Sequence, residues 1–388
     1  MKRVLVALPD QHVHSGVHER VRILAPHLKA LGYETIALFP GKKNAVLLRK
    51  WPCPVTFYFG LYRPRKACWH NLKWILGLPF SVLSCWRAIR QLDADIIHTN
   101  GLLNIAPAIA ARLARRKVVW HLIGDHYPKW TVKAVMPLVK RLSHKMVFVA
   151  ERMLNYYSAK GSNKAVSILE PVFMYQEEGN QAALRNKLME MAAGGRPPSS
   201  WSADMERQTW IGAIGNLVPA KDWISFVEAA ERLCSRYSHL RFVIMGGRSA
   251  TQHDYAETVL KRVERSDYRE RFWLTGHVPH AGRFAGVLDV FMLASVCEGT
   301  PIAIVEAMLA GVPVVATDAG GVADMLSERR GLCCPAANPE ALAKAVERVL
   351  AERAAHIDAR EVAAWVEKHQ PEKIATEFCR LYQSLGRR

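Results

Sequence analysis

Acidic side chains are scarce in the first half of this chain. Residues 1–170 hold 8 Asp and Glu against 27 Lys and Arg, while the remainder holds 27 against 26, so the net charge of +18 arises entirely in the first half. A basic half beside a neutral one points to a negatively charged partner: an anionic membrane surface, a phosphorylated acceptor or nucleic acid. No RNP, helix-turn-helix, KH or zinc module accompanies the charge, so no nucleic acid is expected. No apolar run reaches 18 residues, which argues against a transmembrane helix. The opening "MKRVLVALPD" has too short an apolar run for a signal peptide and reads as a first strand. The 8 cysteines include no Cys-x-x-Cys. That suggests neither a paired-cysteine zinc site nor a disulfide framework and makes free thiols of a reducing compartment the simplest account. Repeats and low-complexity tracts are also missing.

What the chain does have is alternation. Short apolar runs at Val4–Pro9, Glu34–Phe39, Asp95–Asn100, Lys117–Ile123, Lys145–Ala150 and Lys164–Glu170 read as strands, with Val55–Phe59 as a further one. Helical stretches separate most of them: Gly16–Leu31, Asn71–Leu92, Asn104–Ala114 and Glu151–Lys160. Near-continuous apolar strands between helices predict a parallel sheet covered on both faces. The alternation stops near Met174, and residues 173–208 read as a linker or insertion with one short helix. A second series follows, with strands at Thr209–Gly215, Leu240–Gly246, Arg271–Gly276, Asp289–Ala294, Val312–Thr317 and Gly331–Pro335. Its helices are Trp223–Tyr237, Gln252–Arg265, Pro301–Ala310 and Pro339–Ala354. The expected fold class is α/β, with one doubly wound Rossmann-like domain over 1–172 plus 372–388 and another over 209–371. Ligands in such sheets bind at the carboxyl ends of the strands.

The most informative stretch is "SVCEGTPIAIVEAMLAGVPVVATDAGG", Ser295–Gly321. Glu298 and Glu306 sit eight positions apart in an otherwise apolar run. Thr300 reads as an N-cap, Pro301 as the first helical residue and Gly311 as the residue past the helix end. Glu298 then lies in the loop before a helix whose free N–H groups suit a polar or anionic ligand. Two carboxylates so placed suit two polyols, such as a sugar and a ribose. On helix chemistry alone, a surface Glu306 and a Glu298 that merely sits near the dipole are equally good readings.

This stretch resembles the signature of glycosyltransferase family 4, the "group 1" transferases of GT-B fold. The likeness extends to "GNLVPAKDWISFVEAAERL", "FVIMGGRS", "FWLTGHVP" and "VPVVATDAGGVADML", and more loosely to "SGVHERVRILAPHLKALGYETIAL" and "LDADIIHTNG" in the first half. It implies two Rossmann-like domains facing across a cleft, with the last helix crossing back to the first domain on a stripe of Ile374, Phe378 and Leu381. It further implies that Glu298 binds donor-sugar hydroxyls, that Gly299, Thr300, Pro301 and Ile302 bring backbone near sugar and phosphate, and that Glu306 binds ribose. Lys221 would neutralise the leaving phosphate, and Val278 would border the base. Asn216 and Arg248 complete the donor side, and Gly16 marks close backbone approach to diphosphate or acceptor. The family's first-domain histidine matches His121; a register shift of two places Ile123 there instead, with His126 nearby. His98 reads as structural. Two departures stand out. The arginine usual near Asn216 is missing, which leaves either Arg248 to compensate or a weaker phosphate site. Asp324 stands where glutamate is more common.

The resemblance implies a retaining, metal-independent glycosyltransferase without a cofactor, using a nucleoside diphosphate sugar as co-substrate, UDP-sugar before GDP-sugar. Alternatives are a sugar-nucleotide epimerase of the same shape and a transferase-like chain without activity. Lys42, Lys43, Arg49, Lys50, Arg63, Arg65 and Lys66 interleave with Trp51, Phe57, Tyr58, Phe59, Trp69, Trp74, Phe80 and Trp86. Basic and aromatic residues mixed in this way suit an interfacial membrane surface. The expected acceptor is therefore lipid-linked or a growing surface polysaccharide such as lipopolysaccharide or capsule. The expected location is cytoplasmic, at the inner face of the membrane.

Overall fold

A computed structural model describes residues 1–9, 11, 16–42, 51–60, 69–124, 127–172, 178–201, 207–248, 252–352 and 357–386. Most of the basic residues of the interleaved stretch, Lys43, Arg49, Lys50, Arg63, Arg65 and Lys66, lie outside the described residues, as does His126. The chain divides into two units, Met1–Val172 with His369–Arg388, and Phe173–Lys368.

The first unit runs β1 (Lys2–Ala7), α1 (Gly16–Ala30), β2 (Tyr33–Pro40), β3 (Val55–Tyr58), α2 (Trp69–Gln91), β4 (Ile96–Asn100), α3 (Ile105–Leu113), β5 (Lys117–Leu122), α4 (Lys129–Leu142), β6 (Lys145–Phe148), α5 (Glu151–Tyr156) and β7 (Ala165–Ser167). The strands form one parallel sheet in the order β3-β2-β1-β4-β5-β6-β7. Side chains alternate across it. Leu5, Ile97, Val118 and Trp120 enter a core with α2, α3 and α4, while Val4, Val6, Ile96 and Val119 enter another with α1 and the last helix. Both faces are covered, which is why the strand sequences read as continuous apolar runs rather than alternating ones.

Helix α4 was not legible as a helix. It has no side-chain cap and carries Pro137 in its middle, so the usual start and stop signals are missing. Its buried Val132, Met136 and Val139 nonetheless follow helical spacing and hold it to the sheet.

The second unit runs α6 (Gln181–Met191), β8 (Thr209–Ile214), α7 (Trp223–Cys234), β9 (Leu240–Met245), α8 (His253–Glu264), β10 (Phe272–Gly276), β11 (Val290–Leu293), α9 (Ile302–Leu309), β12 (Val314–Thr317), α10 (Val322–Leu326), β13 (Leu332–Cys334), α11 (Pro339–Ala351) and α12 (Ala359–Lys368). Its six strands are parallel in the order β10-β9-β8-β11-β12-β13. The start of α11 is as expected, with Asn338 Oδ1 accepting from Ala341 N at 3.0 Å and proline at the first helical position.

The described part of the 173–208 stretch packs within this unit. Arg185 of α6 pairs with Asp289 at 2.9 Å. Trp201 is fully buried, edge-on to Trp210 at 5.2 Å and to Trp273 at 6.2 Å. Burying one such indole corresponds to about 4–6 kcal/mol of gross hydrophobic gain, enough to dock a segment that a Gly/Pro/Ser composition marks as loose.

The last helix, α13 (Pro371–Ser384), belongs to the first unit. Ile374, Phe378 and Leu381 form its buried stripe, joined by Tyr382, and they pack among α1 and the sheet.

Candidate active site

In each sheet the connections run outward in opposite directions from one pair of neighbouring strands. Those switch points, β1/β4 and β8/β11, are where open α/β sheets bind ligands, beyond the carboxyl ends of the strands.

At the β8/β11 switch point the second unit brings Lys221 and Glu298 together. After β8 the chain makes a 3₁₀ turn over Pro219–Lys221. Asp222 then adopts a left-handed conformation, φ 43°, and its carboxylate takes the Ser225 hydroxyl at 2.6 Å to start α7. The stem of Lys221 crosses Gly215, where a Cβ would stand 3.0 Å from Lys221 Cε. After β11, Val296 N and Cys297 N both donate to the Ala220 carbonyl, at 2.9 and 3.3 Å, so the two loops are joined main chain to main chain. Lys221 Nζ consequently meets Glu298 Oε1 at 2.6 Å, and the buried Ser295 hydroxyl donates to the same oxygen at 2.6 Å.

Helix α9 starts one residue later than the sequence suggests. Pro301 is extended, ψ 114°, and serves as the cap residue. Thr300 is therefore not the N-cap. Its Oγ1 is buried and, among the described residues, has no hydrogen-bond partner. A hydroxyl in that state costs free energy unless something else satisfies it. Gly311 closes the helix as expected, at φ 71°.

Glu306 lies one turn into α9. Its carboxylate rests on Gly282, where any Cβ would overlap the carboxyl group. Gly299 O accepts from Gly321 N at 2.7 Å, tying the Glu298 loop to the second glycine loop. Asn216 contributes its carbonyl to Trp223 Nε1 at 3.0 Å, and Val278 is buried just past β10. The Arg248 guanidinium is paired with Glu257 on α8 and is half exposed. Asp324 sits in the first turn of α10. Ser295, Gly282 and Ala220 escaped the sequence reading, because no spacing marks a residue that acts through a close approach or a carbonyl.

The first unit places Gly16, which is exposed, at the start of α1. His121 lies near the end of β5 and is 1% exposed. Its Nε2 faces Arg20 at 3.2 Å and its Nδ1 faces His98 Nε2 at 3.3 Å, with the two imidazoles stacked. Burial pushes both histidines well below the ordinary range, and the Arg20 charge adds to the shift. Both are neutral at physiological pH. A pocket beyond the ends of β1 and β2 is lined by Pro9, Pro40, Tyr58, Trp74, Leu103 and Asn104.

Two doubly wound parallel units, one with a lysine–glutamate pair and a second glutamate at its switch point, define an α/β protein of GT-B type. Comparison with known proteins gives the family. The model of "Glycosyl transferases group 1" matches residues 208–352, and that of "Glycosyl transferase 4-like domain" matches residues 15–163. TuaC of Bacillus subtilis (strain 168), named as a glycosyltransferase of teichuronic acid biosynthesis, is 38% identical over 305 residues, 74% of this chain and 70% of its own. The chain belongs to the glycosyl transferase group 1 family.

Other relatives are more distant or much longer. The Salmonella typhi Vi polysaccharide biosynthesis protein VipC/TviE is 31% identical over 123 residues, and the match covers 32% of this chain but only 20% of that protein. The Escherichia coli UDP-Gal:alpha-D-GlcNAc-diphosphoundecaprenol alpha-1,3-galactosyltransferase is 24% identical, with 62% of each chain matched. Among solved structures, HepE of Anabaena in complex with UDP-glucose superposes with a TM-score of 0.79 at 17% identity, covering 99% of this chain and all of that one.

Proposed function

We propose that the protein transfers a sugar from a nucleoside diphosphate sugar to a lipid-linked or surface-polysaccharide acceptor, with retention and without a metal. The observation that carries this reading is the Lys221–Glu298 pair at the β8/β11 switch point, with Glu306 one turn into the following helix. An ammonium and a carboxylate side by side match a phosphate next to a sugar. Glu298 and the Thr300 hydroxyl take donor-sugar hydroxyls, and Glu306 takes the ribose. Gly299, Pro301 and Ile302 offer backbone to sugar and phosphate, while Asn216 and Val278 border the nucleotide. Lys221 and the start of α9 meet the charge that grows on the departing diphosphate, where preorganised donors act most strongly. A diphosphate is already a stable leaving group, so neither glutamate is needed as a protonating acid. The acceptor attacks on the face the diphosphate leaves, and Gly16 lies on the acceptor side. HepE, solved with UDP-glucose, and the relative named for UDP-Gal favour a UDP-sugar, with a GDP-sugar next.

Thermal unfolding with UDP, GDP, ADP and CMP, run beside Glu306→Ala, tests the donor site. A cognate nucleotide at 100 times its Kd stabilises the fold by about 2.7 kcal/mol. The shift is expected with one nucleotide and lost in Glu306→Ala. A protein that no nucleotide stabilises at high concentration would sink the reading. Release of free nucleoside diphosphate on turnover separates a transferase from an epimerase or an inactive chain.

The acceptor reading rests on the first unit. Helices α2, α3 and α4 cover one face of its sheet and contain no Asp or Glu. Leu76, Phe80 and Leu83 on α2, Leu113 on α3 and Trp130 on α4 are exposed, Trp130 at 73%. The same helices carry Arg87, Arg90, Arg112, Lys129 and Lys133. Exposed large apolar side chains on helices whose only charged residues are cations fit the headgroup layer of an anionic bilayer. Among the described residues no helix is long and apolar enough to cross a membrane. Binding to phosphatidylcholine vesicles containing phosphatidylglycerol is expected, and it should weaken with salt. The double variant Lys129→Glu, Lys133→Glu should weaken it by at least about tenfold. Equal binding with and without the anionic lipid would remove the membrane from the proposal.

A further inference from the structure

The β1/β4 switch point of the first unit is built around one buried arginine. Arg20, on α1, is 2% exposed. One terminal nitrogen donates to Glu170 Oε1 at 2.6 Å and faces His121 Nε2 at 3.2 Å, and the other donates to Asn100 Oδ1. Asn100 is the last residue of β4, and its amide donates to the carbonyl of Ala7, the last of β1, at 3.1 Å. Arg20 thus reaches the carboxyl ends of the two strands that flank the switch point, and of β5 beside them.

The hydrogen-bond chain has a forced direction. A guanidinium only donates, so His121 Nε2 accepts and its proton sits on Nδ1. That proton goes to His98 Nε2, so His98 carries its own on Nδ1, which donates to the Tyr382 hydroxyl of α13 at 2.8 Å. Protonating either histidine would set donor against donor. With both ring nitrogens engaged and the ring buried, His121 does not reach a ligand in this arrangement. Glu170 extends the chain the other way. Its carbonyl receives His369 Nδ1 at 2.6 Å, and Val172 N donates to the His369 carbonyl at 3.1 Å. Those are the points where the chain leaves the first unit and re-enters it.

We infer that Arg20 is a positioning residue: its guanidinium holds His121 in one neutral tautomer and Asn100 in one orientation, and so shapes the strand-end floor against which the acceptor is placed. The functional half of this inference rests on the proposed transfer reaction. Lysine cannot replace it, because a single ammonium lacks the fork that serves three partners at once. Among the described residues the partners of the Arg20 guanidinium belong to the first unit, whereas Lys221, Glu298 and Glu306 belong to the second, so nucleotide binding should be indifferent to it.

The test uses full-length protein labelled with 15N-histidine, as wild type, Arg20→Lys, Arg20→Met and Glu170→Gln. In the wild type, His98 and His121 should each show a proton-bearing Nδ1 and a bare Nε2, unchanged from neutral pH to well below the ordinary histidine pKa of about 6.5. In Arg20→Lys the His121 signals should move to mixed tautomers or begin to titrate, with UDP affinity unchanged within about twofold. Glu170→Gln keeps an acceptor for Arg20 and should retain the wild-type tautomer even if it melts earlier. If Arg20→Met does not fold, Arg20→Lys carries the test. A folded Arg20→Lys protein whose His121 keeps the same tautomer overturns the inference. UDP release from UDP-glucose, with vesicles carrying a polyprenyl-diphosphate-linked N-acetylglucosamine, adds the kinetic readout. Arg20→Lys should lower kcat by about 10- to 100-fold, the cost of misplacing a reacting group by a fraction of an ångström to an ångström, with donor KM unchanged. Unchanged kcat overturns the functional half. A wild type that releases no UDP fails the transfer reading with these substrates instead, and the tautomer result still decides the role of Arg20.

Discussion

Lys221→Ala is expected to lower kcat at saturating donor by about 10²–10³-fold, the cost of removing one preorganised charge partner of a leaving group. The expectation follows from how firmly Lys221 is placed. Its stem crosses Gly215, its turn is closed by the left-handed Asp222, and the preceding Ala220 carbonyl holds the Glu298 loop. Little of its conformational freedom is left to lose when substrate binds. The ammonium is aimed at Glu298, and both side chains are largely buried, 18% and 11% exposed. A diphosphate arriving beside Glu298 therefore meets a cation already in place. Donor KM should change less than kcat, because negative charge on the bridging oxygen grows only toward the transition state. Lys221→Arg keeps the charge but not the fit over Gly215, and should recover only part of the loss. Initial rates of nucleoside diphosphate release decide the matter. A Lys221→Ala enzyme within a few-fold of wild type would mean that another group neutralises the phosphate. Arg248, freed from Glu257, would then be the first to examine.

Gly320→Ala should be among the most damaging small substitutions in the second unit. Gly320 has φ 56°, and a Cβ there would collide with the main-chain carbonyl of Glu298. A non-glycine residue at positive φ costs about 1–3 kcal/mol, and forcing backbone apart in a packed site costs a similar amount. A loss of about 3 kcal/mol or more is expected, with a fall in Tm of about 6–12 °C for a unit of this size. Donor binding should weaken too, because the displaced backbone carries Glu298 and Gly299. Gly282→Ala makes the contrast. The three atoms nearest its Cβ are all at the end of the flexible Glu306 side chain, so nucleotide binding should fall while the melt barely moves. Scanning calorimetry of the two variants with and without nucleotide separates the cases. A Gly320→Ala protein as stable as wild type would mean that the two loops do not touch in solution.

Much of the architecture could be read along the chain. Strands buried on both faces announce themselves as continuous Val, Ile, Leu and Phe runs, and every expected strand matches the observed one to within three residues at each end. The helix at Pro339 began where Asn338 and proline placed it, because capping is a local matter of one side chain and three backbone groups. The helix after Glu298 shows the limit of the same rule. Thr300-Pro301 has the right residues for a cap, but the backbone there extends into the loop that carries Glu298, so the helix starts later and the threonine hydroxyl is left for another partner. Helix α4 was invisible for the opposite reason: it lacks local signals and is held by what it packs against.

Site chemistry divides along the same line. The residue types and their order, a lysine after β8 and two glutamates around the start of α9, are properties of the sequence, and so is the charge asymmetry between the halves. The contact between Lys221 and Glu298 spans 77 positions. It exists because two loops meet at a switch point of the sheet, and no local pattern encodes that meeting. Arg20 is the sharper case. No local motif singles it out, yet it is buried among Glu170, His121 and Asn100, up to 150 positions away. Local propensity and capping act within a few residues and are legible in order. Long-range polar pairing depends on which strand ends the tertiary fold brings side by side, and only the folded chain decides it.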